Sequence, residues 1–174
     1  MADPNSLKSN NNPYRRESFI SWDELQKDAR VLCQQLLPMG PWQGLIAITR
    51  GGLIPAGIVA RELGIHHIQT LCLSAYEGMQ ISDKSIKVIY APEIENGGKG
   101  YIIIDDLVDT GKTAGVAKEL FPNAYFATLC TKPKGEDLVD LSIRGFEQDT
   151  WVRFPWDTAL NFTLPLIDQN KLAD

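Results

Sequence analysis

The stretch YIIIDDLVDTGKTA, residues 101 to 114, decides the fold of this protein. Its first four residues are apolar and favour extended backbone, which predicts a buried strand over 101–104. The helical pattern TAGVAKEL over 113–120 predicts a helix shortly afterwards. Between the two lies a polar loop with three carboxylates, Asp105, Asp106 and Asp109. A strand that enters a helix through such a loop is the repeating unit of a parallel sheet.

Similar strand and helix patterns occupy the rest of the central chain. Short apolar runs predict strands at GLIAIT (44–49), HIQTLCLSAY (67–76) and YFATLC (125–130). Helical spacing predicts one helix between Ser21 and Pro38 and another over 53–63. Because the strands lack an alternation of apolar and polar residues, they indicate an α/β fold with a mainly parallel sheet flanked by helices. Ligands of such sheets bind at the carboxyl ends of the strands.

The two ends of the chain differ in composition from this central part. Residues 1–18 are polar and charged, which predicts a flexible N-terminal arm, while residues 19–174 are predicted to form a single domain. The piece from Asp149 onward is rich in Trp, Phe and Pro. We expect it to form a small irregular C-terminal flap, or hood, over one rim of the sheet.

Composition excludes several classes of protein. The formal net charge of −5 provides no broad positive field for nucleic acid or for an anionic membrane surface. The cysteines Cys33, Cys72 and Cys130 are far apart and odd in number, so we expect buried reduced thiols rather than disulfides or a zinc site. No run approaches the roughly 18 apolar residues of a membrane span, which favours a cytoplasmic protein. Because the net charge is negative, any phosphate site must be formed by a few residues that lie close together.

The turn Gly111-Lys112-Thr113 matches the end of a nucleotide-binding P-loop. The earlier glycine of that motif is missing, and its position holds Asp106, whose carboxylate would repel phosphate. Hydroxyls, a glycine and a helix start between Thr110 and Thr113 fit a cradle for one monophosphate instead. Upstream, Asp105 and Asp106 are acceptors suited to sugar hydroxyls or Mg²⁺. Asp109 stands between, where a general acid or base could act.

The whole segment resembles the 5-phosphoribosyl-1-diphosphate (PRPP) signature of the type I phosphoribosyltransferase family. That signature has four apolar residues, two acids, two apolar residues and then D-T-G-x-T. Four other stretches resemble the purine enzymes of this family: SWDELQKDARVL, ITRGGLIPAGIVARELGI, TKPKG and QDTWVRFPWD. The resemblance implies transfer of the phosphoribosyl group of PRPP to guanine or xanthine, and less readily to hypoxanthine, with Mg²⁺ as cofactor.

The resemblance also implies a PRPP site. Arg50 and Gly51 would hold the pyrophosphate, through a peptide that can be cis in the family, and Asp106 would bind the metal ion. The polar stretch SAYEGMQISDKSIK (74–87) would act as a lid, in which Lys84 replaces a family arginine and supplies charge without the bidentate fork. The complete PRPP set is Arg50, Gly51, Lys84, Asp105, Asp106, Leu107, Val108, Asp109, Thr110, Gly111, Lys112 and Thr113.

A purine site follows from the same resemblance. Asp109 would face N7 of the purine as the catalytic proton acceptor or donor, and Lys132 would donate to the 6-oxo group. An ammonium donor suits a carbonyl and would meet the amino group of adenine badly. Trp151 would stack on the base, and the Val152 backbone would read the 2-position. Taken alone, Lys132 could equally be an exposed turn lysine, and Trp151 could be a core or interface aromatic.

Two other functions remain open at this point. A regulatory protein could keep the fold as a PRPP sensor and bind nucleic acid, although the acidic charge and the lack of a basic stripe count against it. A P-loop kinase would require ATP turnover without PRPP. The resemblance further implies a homotetramer and, at most, peripheral contact with the cytoplasmic side of the inner membrane.

Overall fold

The described part of the chain falls into two units. The computed structural model of the protein describes residues 14–75 and 86–157. Within these ranges, the larger unit comprises residues 23–75 and 86–148, and the smaller unit combines residues 14–22 with residues 149–157. None of the helices in these described ranges is long and apolar enough to cross a bilayer.

Eight strands and three α-helices occur in the described ranges. In chain order they are β1 (Arg16–Phe19), α1 (Trp22–Leu36), β2 (Gly44–Thr49), α2 (Leu53–Leu63), β3 (Ile68–Ala75), β4 (Ile86–Tyr90), β5 (Tyr101–Val108), α3 (Lys112–Leu120), β6 (Tyr125–Thr131), β7 (Leu141–Gly145) and β8 (Thr150–Arg153). The helices begin and end within a residue or two of the predicted positions, and α2 ends at Gly64, which has the left-handed backbone of a helix C-cap.

The larger unit is built on one six-stranded sheet with the order β4-β3-β2-β5-β6-β7. All neighbouring pairs are parallel except β3 and β4, which are antiparallel. The predicted α/β fold with a mainly parallel sheet is confirmed. From β2 the chain continues to β3 on one side, whereas from β5 it continues to β6 on the other. The loops after β2 and β5 therefore leave from adjacent strands at the topological switch point, where sheets of this kind bind ligands.

The core places α3 close to the sheet. Ile46 and Ile103 of the central strands are fully buried, and Ala114 and Ala117 of α3 belong to the same cluster. Small side chains on this face let the helix lie near the strands. Packing of this kind fixes where the first turn of α3 stands relative to the end of β5.

Strand β5 is four residues longer than the sequence predicted. Asp105, Leu107 and Val108 pair with Thr128, Cys130 and Thr131 of β6, so the ladder continues past the apolar run. The prediction that Asp105 and Asp106 lie in a loop was wrong. A long partner strand supplies backbone hydrogen bonds that no side-chain pattern records, and it carries both carboxylates to the carboxyl edge of the sheet.

The edge strands β4 and β7 have no counterpart among the strand predictions. Four of the five residues of β4 are exposed, and four of the five in β7 are only partly buried. Edge strands lack the continuous apolar run that marks a buried strand. The three cysteines are free thiols as predicted, although Cys72 is only partly buried.

The smaller unit contains a two-stranded parallel sheet of β1 and β8. Glu17 of β1 accepts a hydrogen bond from the Arg153 guanidinium at 2.9 Å, and Phe154 stacks on Trp156 with ring centroids 4.9 Å apart. The expectation of an irregular C-terminal piece was wrong for residues 150–153. Residues 16–18, which the composition assigned to the arm, lie in β1 because they pair with a segment over 130 positions away.

Candidate active site

The loop after β5, where the sequence predicts a phosphate cradle, borders a small pocket. A pocket of about 110 Å³ is lined by residues of this loop and of the start of α3. Gly111 has φ of 79°, a left-handed value that turns the backbone into the helix at Lys112. The first N–H groups of α3 therefore border the pocket, where the helix dipole favours an anion. Since typical sites for whole small molecules measure about 300–1,000 Å³, this pocket suits one end of a ligand.

The lining residues of this pocket correspond closely to the predicted PRPP set. They are Asp105, Leu107, Val108, Asp109, Thr110, Gly111, Lys112, Thr113 and Ala114. Thr110 and the side chain of Lys112 are exposed, Val108 is buried, and Leu107 and Thr113 are partly buried. The exposure of Lys112 agrees with the rejection of a P-loop, in which a buried lysine would reach the phosphates.

Two adjacent carboxylates stand just before this loop. Asp105 is buried and its Oδ1 accepts the Asp106 N–H at 3.0 Å, whereas Asp106 is partly exposed and accepts the Leu107 N–H at 2.7 Å. Burial, followed by the neighbouring charge of Asp106, raises the pKa of Asp105 well above its ordinary value. Asp106 is thus the more accessible of the two carboxylates.

The turn after β2 lies against the Asp106 carboxylate. Gly51 lies so close to the Asp106 carboxyl group that an added Cβ would overlap it. Glycine is required here because any side chain would displace Asp106. The cis peptide bond of this turn joins Thr49 to Arg50, one residue before the Arg50-Gly51 bond implied by the resemblance, because the bend falls directly after the last residue of β2. Arg50 itself is exposed.

Asp109 is held by an ion pair with a buried lysine. Lys132 Nζ lies 2.9 Å from Asp109 Oδ2, and the lysine side chain is only 1% exposed. The backbone N–H of Lys132 donates to the Val108 carbonyl at 3.0 Å, which places the lysine beside the end of β5. Lysine is rarely so buried without a partner. The reading of Lys132 as an exposed turn residue is therefore wrong, because the β5 and β6 ends converge on it.

One residue of this cluster was missed from the sequence. Gln148 Nε2 donates to Asp109 Oδ1 at 2.7 Å and lies 3.4 Å from the Asp109 carbonyl oxygen, while Gln148 Oε1 accepts the Lys134 N–H at 3.0 Å. No local pattern marks a glutamine in a loop as functional. The available signal was its place in the quoted stretch QDTWVRFPWD, which begins at this residue.

Three predicted residues do not belong to the described part of the larger unit. Trp151 and Val152 belong to β8 of the smaller unit, where the Val152 side chain is buried. Trp151 is 43% exposed and meets the Tyr14 ring edge-on with centroids 4.8 Å apart. Lys84 and most of the predicted lid lie outside the described residues.

The carboxylates also fit the predicted cofactor. Mg²⁺ binds oxygen and usually keeps several waters, using one or two carboxylates together with substrate phosphates. Asp106 offers such a carboxylate at the strand end. Within residues 14–75 and 86–157, no group of three or more His, Cys, Asp and Glu residues forms a closed metal site. The donor set suits a Mg²⁺ ion that is shared with a phosphorylated ligand.

A pocket beside a helix N-terminus, at the switch point of a parallel sheet and next to paired carboxylates, suits a phosphorylated sugar or nucleotide. Residues 21–163 match the phosphoribosyl transferase domain family. The chain belongs to the phosphoribosyltransferase family.

Three related proteins illustrate this membership. A xanthine-guanine phosphoribosyltransferase of Nitratidesulfovibrio vulgaris is 47% identical over 156 residues, which cover 90% of this chain and 94% of that protein. One of the same name from Desulfotalea psychrophila is 46% identical over 158 residues, or 91% and 97% of the two chains. The crystal structure of a purine phosphoribosyltransferase from Pyrococcus horikoshii Ot3 has a TM-score of 0.70 at 25% identity, covering 82% of this chain and 95% of that one.

Proposed function

We propose that the protein is a purine salvage enzyme that joins guanine or xanthine, and less readily hypoxanthine, to PRPP. The products are the nucleoside 5′-monophosphate and pyrophosphate. The observation that carries the proposal is the ion pair between the buried Lys132 and the partly exposed Asp109, which lines the pocket after β5. It places Asp109, which can carry a proton, and Lys132, which can donate a hydrogen bond to a carbonyl, next to the position proposed for the ribose 5-phosphate. The names of the two curated relatives support the choice of purine.

The residues have the following roles in the reaction. The bond from C1 of ribose to the pyrophosphate oxygen breaks, and its electron pair leaves with pyrophosphate. A purine ring nitrogen bonds to C1, and the purine loses a proton. Asp109 accepts the proton that N7 loses and returns it in the reverse reaction, while Lys132 donates a hydrogen bond to the 6-oxo oxygen. Charge that develops on the base is thereby met by fixed groups in a largely buried setting.

The PRPP end is held by different groups. Backbone N–H groups from Thr110 to Thr113 bind the 5-phosphate, and Asp105 and Asp106 accept from the ribose hydroxyls. Arg50, Gly51 and Lys84 hold the pyrophosphate. Mg²⁺, bound by Asp106, would supply positive charge to the leaving pyrophosphate.

Some parts of the proposal concern the whole chain. We assign residues 19–174 to one functional domain, with Trp151 stacking on the base and the Val152 backbone reading its 2-position. The assembly is a homotetramer in the cytoplasm, with at most peripheral contact with the inner membrane. The regulatory alternative receives no support, because none of the relatives named above is described as a nucleic-acid-binding protein.

The reaction is tested by measuring pyrophosphate release from PRPP and Mg²⁺ with each of four bases. We expect release with guanine and xanthine, slower release with hypoxanthine, and the slowest release with adenine. Absence of release above the blank, with PRPP still bound, would favour the sensor. ATP turnover without PRPP would favour the kinase.

The role of Asp109 is tested by Asp109→Asn. We expect kcat to fall by about 10²–10⁴-fold, since this is the usual contribution of proton transfer, with a much smaller change in PRPP binding. Asp137→Asn, which alters an exposed aspartate in the loop after β6, is the matched control. Single-turnover kinetics and PRPP titration measure the two quantities. A wild-type kcat in Asp109→Asn would remove this residue from the mechanism.

A further inference from the structure

Gln148 is joined to the candidate site by both ends of its side-chain amide. Its Nε2 group lies 2.7 Å from Asp109 Oδ1 and 3.4 Å from the Asp109 carbonyl oxygen. Its Oε1 atom lies 3.0 Å from the backbone nitrogen of Lys134. The residue follows β7 in a segment whose Phe146 N–H donates to the Thr131 carbonyl at the end of β6, at 2.9 Å. This backbone bond anchors the base of the loop that presents Gln148.

The partners leave one orientation for the amide. A backbone N–H is a donor only, so the atom that faces Lys134 must be the amide oxygen. A carboxylate is an acceptor only when ionised, so the atom that faces Asp109 must be the amide nitrogen. A flipped amide would replace two hydrogen bonds by two repulsive contacts. Lys134 therefore orients Gln148, and Gln148 in turn orients Asp109.

Each oxygen of the Asp109 carboxylate consequently accepts a hydrogen bond from a different donor. Lys132 donates to Oδ2 from the end of β6, and Gln148 donates to Oδ1 from the segment after β7. Two donors on opposite oxygens fix the plane of the carboxylate, which a single ion pair would allow to rotate. Each carboxylate oxygen accepts more than one hydrogen bond, so Asp109 retains acceptor capacity for a substrate proton.

Lys132 and Gln148 have different roles during the reaction. Under the proposed function, on which this inference rests, the Lys132 ammonium also donates to the 6-oxo group of the purine, so its position depends on the base. Gln148 has no such second partner in the mechanism. We propose that Gln148 is a positioning residue that holds the Asp109 carboxylate in the plane needed for proton transfer at N7 of the purine. Placement of a reacting group to within about 1 Å is worth up to about 10²-fold in rate.

Two substitutions separate this role from simple support of the loop. Gln148→Ala removes both the donor to Asp109 and the acceptor for the Lys134 N–H. Gln148→Glu keeps an oxygen for Lys134 but turns a second oxygen, instead of an N–H donor, towards Asp109. We expect both variants to lower kcat by about tenfold to a hundredfold while the KM for PRPP stays within about twofold. Glu147→Gln, at the exposed neighbouring position, is the matched control and should keep the wild-type kcat.

The double variant Asp109→Asn with Gln148→Ala gives the decisive comparison. If Gln148 acts through Asp109, the double variant should be no slower than Asp109→Asn alone, because residues that act as a unit are not additive. Losses that add would overturn the proposal. So would a wild-type kcat in Gln148→Glu, which would assign Gln148 to the loop backbone alone. If Gln148→Ala does not fold, the Gln148→Glu variant, which keeps the Lys134 bond, decides the question.

Failure of the proposed function has a different signature. It would appear as wild-type protein that releases no pyrophosphate with any of the four bases, whereas Asp109→Asn with a wild-type kcat would remove only Asp109, and with it the role of Gln148, from the mechanism. A slow Asp109→Asn variant together with fully active Gln148 variants would overturn only the role of Gln148.

Discussion

At the scale of single residues, Lys132 links stability to specificity. Its side chain is almost completely buried, and its ion pair with Asp109 compensates for the loss of water. An ammonium with three N–H groups can keep Asp109 and still donate to a ligand carbonyl. A lysine that is buried does not contribute to the solubility of the surface. The proposed hydrogen bond to the 6-oxo group explains why a cation lies at this position.

Lys132→Ala should reduce the preference for guanine over adenine. Hydrogen bonds from charged donors are worth about 1.5–3 kcal/mol, so the ratio of kcat/KM for the two bases should fall by about tenfold or more. Steady-state kinetics with both bases measure this ratio, and Lys99→Ala, at an exposed position, is the control. An unchanged ratio would mean that another group contacts the 6-oxo oxygen.

At the scale of elements, two glycines lie near the junction of β5 and α3, and they differ in whether the backbone there requires glycine. Gly111 has a left-handed φ of 79°, and an added Cβ would press on Leu138. Gly115 lies inside α3, and an added Cβ there would meet nothing within 4 Å. The first glycine shapes the phosphate cradle, whereas the second is a local cost to the helix.

Alanine at these two positions should therefore change stability in opposite directions. Gly111→Ala should lower the free energy of unfolding by about 1–2 kcal/mol, through the left-handed backbone, and should raise the KM for PRPP. Gly115→Ala should raise the free energy of unfolding by about 0.5–1 kcal/mol with little effect on KM. Urea denaturation and PRPP kinetics test the pair. Equal effects of the two changes would contradict the cradle geometry.

Helix α1 contributes a dependence of stability on pH. Burial, followed by the charge of Glu62, raises the pKa of the Cys33 thiol from its ordinary value of 9.0 to about 11. Because the folded state favours the neutral thiol, its stabilising contribution is complete below pH 9 and is lost as the pH rises through 11.

The free energy of unfolding should accordingly fall further between pH 8 and pH 11 in the wild type than in Cys33→Ala, by up to about 2 kcal/mol. Urea denaturation at several pH values measures the difference. Cys33 should also resist thiol reagents at pH 8 until the protein unfolds. The same pH dependence in both proteins would show that Cys33 is not responsible.

At the scale of the whole molecule, several large apolar side chains are exposed on the described surface. The most exposed of them are Leu37, Phe19, Ile89, Trp22 and Tyr90, each more than half exposed. Ile89 and Tyr90 are adjacent in the edge strand β4, which is one surface that association in the proposed homotetramer would cover.

Light scattering after size-exclusion chromatography should give about four times the mass of the 19.4-kDa chain. Ile89→Asp, at an exposed position in the edge strand β4, should lower that mass if β4 lies in an interface. Val31→Asp, on the exposed face of α1, is a comparison for a general effect of added charge. A monomeric mass for the wild type at micromolar concentration would overturn the tetramer.

Local patterns along the chain were sufficient for the order of helices and buried strands and for the position of the loop between β5 and α3. Apolar periodicity and a loop such as D-T-G-x-T act over a few consecutive residues, so they can be read without knowing what lies nearby in space. The extension of β5, the pairing of β1 with β8 and the contact of Gln148 with Asp109 required the tertiary structure. Each joins segments distant in sequence, the last separated by 39 positions. Backbone hydrogen bonds and single side-chain contacts between such segments leave no local periodicity, and only the packing of the sheet brings them together.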